Sequence, residues 1–447
     1  MGSETSLSDT STKQRRGLRK FLLNDKNIER NGYIWNMIGS MMNAFQSVFL
    51  LVIINRVLGE GESGIFNIAY ANANLFLNMG KYGMRYYQVS DVKHEHSFGD
   101  YLTSRIISCA AMIISSLIYV LYSAFSNSYS PYKTWIIIFM CLFKVVDSFE
   151  DVYGGQYQNH DRLDVAGKVM SVRTFLLYVV FGVGVVVFKN MLIALIITVA
   201  TNTLIWIYLT LITYKDVKVS FGKVSKARVK SLMIKCFPLF AGAFLSFYIG
   251  NAPKYAIDKV LSDELQSHYG FIAMPVFVVG LLNNFIFNPQ IVVMTKLWTE
   301  GKVKAFVGRV LRQIGIVFGI TFVCIAGAYV LGIPVLSKLY ACDLAPYKLE
   351  LLVLLLGGGF LGLTGLLNAT ITIIRFQKSV MWGYLSVAIL ALLFSNKVVS
   401  EYGIRGASIL YTSLMAILSL VFVVLFVIGI KVGMKKQALE ASKSQGA

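Results

Sequence analysis

Residues 406–430 read GASILYTSLMAILSLVFVVLFVIGI, an unbroken run without a single charge. A helix rises about 1.5 Å per residue, so a run of this length crosses roughly 30 Å of hydrocarbon with residues to spare. Comparable uncharged runs occupy 31–55, 106–132, 190–214, 269–295, 313–337 and 351–374. Five weaker candidates, 64–85, 134–153, 166–188, 233–257 and 380–396, are shorter or carry an internal charge. The chain therefore reads as an all-α polytopic membrane protein of about twelve transmembrane helices.

Composition agrees. Of 447 residues, 56% are hydrophobic and only 15% charged, against about 25% charged in a soluble domain. That balance excludes disorder, coiled coil and collagen. No polar stretch between apolar runs is long enough for a separate catalytic domain. The formal charge of +19 would suggest nucleic acid in a soluble protein. Here the basic residues sit in short loops, where they orient spans and attract anionic headgroups; no nucleic-acid partner is expected. The five cysteines, Cys109, Cys141, Cys236, Cys324 and Cys342, show neither disulfide nor metal-ligand spacing.

Placing the N-terminus inside puts 30 of the 42 Lys and Arg residues in cytoplasmic segments and nine in outer loops, leaving Lys81, Lys144 and Arg173 within spans. By the positive-inside rule both termini are expected in the cytoplasm. The tail segment KQRRGLRK at 13–20 precedes a long, Asn-studded run without a small-residue cleavage site, so the first span is expected to be retained.

An internal repeat is faint but well placed. Asn55-Arg56-Val57-Leu58-Gly59 returns as Asp258-Lys259-Val260-Leu261-Ser262, after the first and seventh spans. Two halves related by an axis along the membrane normal suit a carrier that rocks between two openings. The expected organisation is a basic cytoplasmic tail (1–30), an N-terminal six-helix bundle (31–214), a basic linker (215–232), a C-terminal six-helix bundle (233–430) and a cytoplasmic tail (431–447).

Polar residues recur at helical spacing. Asn36, Ser40, Asn43 and Ser47 share one face of the first span; Asn67, Ala71, Asn74, Asn78, Lys81 and Arg85 share one face of the second. Amides and ammonium groups facing lipid would be unsatisfied, so these faces line protein or water. They serve either as helix–helix glue or as a cavity wall. The fourth span carries Lys144 and Asp147, three residues apart and able to pair, followed by Glu150 and Asp151. Arg173 in the fifth span has no acid beside it on its own helix, which makes it the strongest candidate for an anion contact. In the second half, Asn251, Lys254 and Asp258 share a face, Asn283, Asn284 and Asn288 precede Pro289, and Thr364, Asn368, Thr372 and Arg375 align. Lys254 could instead snorkel outward, and Arg375 could cap its helix. Cations at several depths would favour an anionic solute, phosphate above all, while the Asn and Ser groups would suit hydroxyl-rich ligands.

Chemical motifs are absent. No P-loop occurs, no cofactor is expected, and no catalytic residues are assigned. The histidines, His94, His96, His160 and His268, fall in loops, and His94-Glu95-His96 resembles a metal clip only superficially. No metal site is expected. The run Gly357-Gly358-Gly359 is better suited to close helix packing than to cradling phosphate.

The basic tail, the Asn/Ser-rich first span, Arg56-Val57-Leu58-Gly59 with Gly64-Ile65-Phe66 leading into the second, and the seventh span restarting at Phe237-Pro238-Leu239 resemble one family over roughly 31–431. It is the polysaccharide-transport branch of the multidrug/oligosaccharidyl-lipid/polysaccharide (MOP) exporter superfamily, with Wzx-type flippases as the best match. The resemblance implies a V-shaped pair of six-helix bundles in the bacterial inner membrane. Such a protein turns over undecaprenyl-diphosphate-linked oligosaccharide units from the cytoplasmic to the periplasmic leaflet, for O-antigen of lipopolysaccharide, capsule or exopolysaccharide. Lys81, Arg85, Lys144, Arg173 and Lys254 are the cavity candidates it implies, with Asn36, Asn43, Asn74, Asn78, Asn283, Asn284, Asn368 and Arg375 beside them. Asp147 and Glu150 are the candidates for coupling to a proton or sodium ion. Implied partners are the lipid-linked oligosaccharide, membrane lipids, and a polysaccharide polymerase with its chain-length machinery. The alternatives are a cation-coupled multidrug exporter of the same superfamily and a membrane-embedded glycan polymerase or acyltransferase.

Overall fold

The computed structural model describes residues 17–24, 26–91, 95–215, 217, 221–376 and 378–445, and at residues 284, 285, 288, 378 and 436–445 it describes the backbone alone. Among the described residues there is no β-strand. The helices are α1 (Leu18–Leu22), α2 (Ile28–Ala44), α3 (Gln46–Leu58), α4 (Glu60–Lys81), α5 (Met84–Ser90), α6 (Phe98–Ser126), α7 (Pro131–Asn159), α8 (Leu163–Phe188), α9 (Met191–Thr213), α10 (Lys226–Val260), α11 (Asp263–Thr299), α12 (Val303–Gly327), α13 (Ile333–Tyr340), α14 (Lys348–Ile373) and α15 (Lys378–Gln445).

Eight of these stretches are long and apolar enough to cross a membrane, and α2 with α3 forms a ninth, bent by 41° at Phe45. One of the eight, within α15, holds two limbs that meet at Gly403, whose φ of 58° breaks the helix. Adding α4 and α7, whose Asn, Lys and Asp residues make them less apolar, brings the crossings to twelve. The chain is an all-α, multi-pass membrane protein.

Local chemistry sets the boundaries. Ser97 and Asp100 close a reciprocal capping box at the start of α6. Ser130 accepts from the N–H of Lys133, with Pro131 opening α7. Asn190 caps α9 and Ser262 caps α11 in the same manner. Tyr82 and Gly83 both take left-handed backbone, which stops α4 after Lys81. Arg85 therefore belongs to α5 rather than to the second span where the sequence spacing had put it.

The contacts divide the described chain into two units. One comprises residues up to Ile53 and Asn72–Phe237; the other comprises Ile54–Ala71 and the residues from Pro238 on. In the first unit α8 is central, packing on α2 and α9 while α7 packs on α5, α6 and α9. The α2–α8 contact is backbone-close because Gly167 faces the main chain of Trp35 and Asn36, and Gly39 faces Ser171 and the Gly167 carbonyl.

In the second unit α14 is central, against α11, α12 and α15. Its three consecutive glycines point about 100° apart, and each meets a different neighbour: Gly357 the Tyr411 ring, Gly358 Val276, Gly359 Thr321. The same unit holds both copies of the repeat. The α3–α4 turn and the α10–α11 turn occupy corresponding sequence positions, and Gly64 sits directly against the main chain of Asp263.

Candidate functional site

The first unit buries a four-charge network. Lys144 Nζ donates to Asp147 Oδ2 at 2.9 Å and to Gln46 Oε1 at 2.7 Å. Arg173 donates to Glu150 through Nε and Nη2 at 2.8 and 2.6 Å, to Asp147 Oδ1 through Nη2 at 2.8 Å, and to Asn202 Oδ1 through Nη1 at 3.0 Å. Lys144 and Arg173 are each 1% exposed and Asp147 4%. Two cations face two carboxylates, so the group is neutral as a whole. That is the cheapest way to keep ionised groups inside a bilayer. It ties α3, α7, α8 and α9 together.

Both cations have acid partners in the structure. Arg173 finds its acids on α7, a neighbouring helix, and Lys144 takes the local pairing with Asp147. Both are engaged internally, as are the coupling candidates Asp147 and Glu150.

One turn further along α7 the balance changes. Asp151 accepts from the fully buried Arg105 at 2.8 Å and lies 3.8 Å from Arg85, while Arg105 also donates to the Gly80 carbonyl at 2.6 Å. Arg85 reaches Gln158 at 3.3 Å. Lys81, Arg85, Asp151 and Gln158 line a cavity of about 460 Å³, together with Gly83, Tyr86, Val89 and Ser90. Counting Arg105 behind the wall, three cations meet one carboxylate, and the excess positive charge is carried by the two part-exposed residues, Lys81 and Arg85. The break at Tyr82–Gly83 turns the chain while keeping both cations on one wall.

A second cavity of about 430 Å³ in the same unit is lined by Asp91, His96, Tyr101, Gln156, His160 and Arg228 among others. Burial works against the charged form of Asp91. The N–H groups of Glu95 and His96 and the Tyr101 hydroxyl outweigh it, donating at 3.0, 3.1 and 3.0 Å, and hold the carboxyl below its ordinary range. The linker is anchored nearby, where Asp100 accepts from Arg228 at 2.6 Å and from the Ser225 N–H at 2.9 Å.

The remaining candidates separate into groups. On α2, Ser40 is exposed and Asn36 half-buried, with Asn43 also half-buried; Asn74, Asn78 and Lys81 share that intermediate burial on α4. In the second unit Lys254 donates to Asn67 Oδ1 at 3.0 Å, and Asn67 donates to the Gln266 carbonyl at 2.9 Å. Lys254 thus lies inside the unit rather than snorkelling outward. Asn283 is buried beside Gly362, and its amide has no hydrogen-bond partner among the described residues. Asn368 is half-buried on α14, and Arg375 is exposed just beyond its end, in left-handed backbone at the helix terminus. The side chains of Asn284 and Asn288 lie outside the described residues, as does His94.

Sequence spacing missed Gln46, Asn202 and Arg105 as members of these clusters, and it placed Asp151 on the fourth span without its partner Arg105. A signal existed for Arg105: the Ser97–Asp100 capping pattern starts α6 at Phe98, two turns before it.

Comparison with known proteins agrees with this architecture. Among solved structures, an inward-facing multidrug resistance MATE family transporter of the MOP superfamily aligns with TM-score 0.67 at 12% identity, over 89% of this chain and 96% of that one. The outward-facing conformation of such a transporter aligns at 0.59 and 15%, over 95% and 100%. A MOP superfamily transporter from Pyrococcus furiosus Vc1 (DSM3638), described as having reverse polarity of its binding pocket, aligns at 0.59 and 14%, over 93% and 98%. Among curated proteins no sequence matches. These likenesses establish the fold as that of MOP-superfamily transporters. The profile of the family described as polysaccharide biosynthesis protein matches residues 30–291. The chain is thus a multi-pass membrane protein with the MOP transporter fold, and it belongs to the polysaccharide biosynthesis protein family.

Proposed function

We propose that this protein is a flippase that moves undecaprenyl-diphosphate-linked oligosaccharide repeat units from the cytoplasmic to the outer leaflet of a bacterial inner membrane by alternating access, supplying surface polysaccharide synthesis. The observation that carries the reading is the cavity of the first unit, whose excess positive charge is presented by Lys81 and Arg85. A diphosphate needs such cations, and a guanidinium offers it paired N–H donors. Tyr86, strongly exposed on the same wall, offers an apolar ring face suited to a sugar. The charge asymmetry of the loops puts this end of α4 on the cytoplasmic side, with both termini, where a lipid-linked substrate is loaded.

The neutral Lys144–Asp147–Arg173–Glu150 network then serves to hold the helices behind the cavity, and Lys254 with Asn67 serves the second unit. Downstream partners of such a substrate would be a polymerase and its chain-length machinery. A cation-coupled multidrug exporter shares the fold. The feature favouring that alternative is the membrane-buried carboxylate of Asp147, but here two cations already occupy it. The test is a strain lacking the gene: it is expected to lose surface polysaccharide and accumulate lipid-linked repeat units. Normal polysaccharide with heightened dye sensitivity would instead support the exporter.

A further inference from the structure

Glu60, His268 and Cys342 are far apart in sequence but meet in the second unit, with one donor atom from each lying within 4.8 Å of the others. His268 Nε2 is 2.9 Å from Glu60 Oε2. On its other side His268 Nδ1 lies 3.3 Å from the Tyr347 hydroxyl. The tautomer with its proton on Nδ1 donates to Tyr347 and leaves the Nε2 lone pair facing the cluster, the arrangement by which an outer partner orients a ligating imidazole.

The frame around these donors is built. Ala341 in left-handed backbone turns the chain after α13. The N–H of Cys342 donates to the Ser337 carbonyl at 3.2 Å, and the N–H of Leu344 to the Ser337 hydroxyl at 3.2 Å. The turn that carries Glu60 is fastened to the same place. Asn55 donates to the Tyr340 carbonyl at 2.5 Å, and Arg56 to the Leu339 and Lys338 carbonyls at 3.0 and 2.7 Å. Those bonds satisfy carbonyls at the end of α13 that would otherwise lack partners. The three donors are therefore held by segments already joined, and not by chance proximity of mobile side chains.

We propose that Glu60, His268 and Cys342 bind a divalent transition-metal ion of the zinc type, with water completing the coordination. One thiolate, one imidazole and one carboxylate is a donor set for zinc and not for magnesium or calcium, which take oxygen. Tetrahedral bonds to such donors put them about 3.5 Å apart, so the cluster closes with small side-chain movements. Glu60 and His268 are part-exposed, which leaves a side open for water, while Cys342 is 8% exposed. Binding exchanges the thiol proton for the metal, releasing the proton to solvent. The ion fastens the start of α4 to α11 and to the α13–α14 connection. By the loop charges this end faces outward, so the ion comes from the extracytoplasmic medium.

The test uses full-length protein in detergent, stripped with a chelator and titrated with cobalt(II) alone. A thiolate-to-cobalt charge-transfer band is expected to grow to one equivalent per chain and to disappear on adding zinc. C342S should lose the band, and the control C324S should keep it. Loss of outer partners commonly weakens metal sites about 10–100-fold, so H268Q, which loses a direct ligand, should weaken cobalt binding at least as much. Zinc should also raise the thermal midpoint of the unmutated protein. No band in that protein, or a band of equal strength in well-folded C342S, would overturn the site and leave only a His–Glu ion pair beside a thiol. No glycolipid enters the experiment, so its outcome is independent of the proposed transport.

Discussion

Arg173 grips Glu150 in a fork, Nε at 2.8 Å and Nη2 at 2.6 Å, across the interface between α8 and α7. The same Nη2 also reaches Asp147, which Lys144 holds from its other oxygen. The four charges cancel, and that cancellation determines what each substitution does.

Replacing Arg173 alone with Met leaves two buried carboxylates facing a single lysine. The expected cost is about 3–5 kcal/mol, the range for removing one partner of a buried pair. Removing Glu150 as well restores neutrality, so R173M/E150L should be less destabilised than R173M. Thermal midpoints of the detergent-purified variants measure this, and additive losses would show that the charges are not coupled.

Lys81 and Arg85 stand differently, because they are part-exposed on a cavity wall. K81A and R85A should each leave the thermal midpoint nearly unchanged. Each is expected to reduce surface polysaccharide output by about tenfold, the equivalent of about 1.4 kcal/mol and close to the worth of one charge-assisted hydrogen bond. Immunoblotting for membrane levels, alongside polysaccharide yield, separates loss of function from loss of protein.

Gly167 lies against the main chain of Trp35 and Asn36. A methyl there cannot be accommodated by rotating a side chain, so G167A should destabilise by about 1–3 kcal/mol through overpacking. By contrast G280A, where an added methyl meets nothing within 4 Å, should leave stability near the unmutated value. Paired melting curves of the two variants provide the comparison.

Asp91 is a pH-dependent contact outside the spans. Its carboxyl lies below the ordinary value because backbone N–H groups and Tyr101 outweigh the cost of burial. The folded form thus holds its charge at lower pH than the unfolded chain. Its stabilisation is present above the unfolded value, near 3.9, and is lost as pH falls through the folded one. D91N should reduce stability at neutral pH and show a weaker dependence on acid below about pH 4, measured by thermal shift across that range.

How far the sequence carried the reading depended on the range of each contact. The twelve crossings were legible because hydrocarbon thickness imposes length and polarity on each span. The Lys144–Asp147 pair was legible because residues three apart share a helix face. Arg173 was not, since its acids lie on α7, and a helix face does not declare which neighbour it meets. Arg105 falls just outside the uncharged run 106–132 and so among the cytoplasmic basic residues, whereas α6 begins eight residues earlier, at the start that Ser97 and Asp100 encode. Spacing alone carries Arg85 onto the second span: left-handed backbone at Tyr82, a residue without the usual preference for it, is unmarked, and the one local sign of the break is the neighbouring Gly83. The Glu60–His268–Cys342 cluster has no linear signature, because its donors come together only when the second unit folds.

The central claim is that Lys81 and Arg85 present positive charge to a diphosphate-linked glycan that the protein carries across the membrane. It is tested most directly with purified protein in liposomes loaded with polyprenyl-diphosphate oligosaccharide, following the glycan's accessibility to a membrane-impermeant glycosidase. The account predicts that the unmutated protein exposes inner-leaflet glycan and that K81A/R85A does so about tenfold or more slowly. Exposure no faster than in protein-free liposomes, or equal rates for the protein and K81A/R85A, would contradict it.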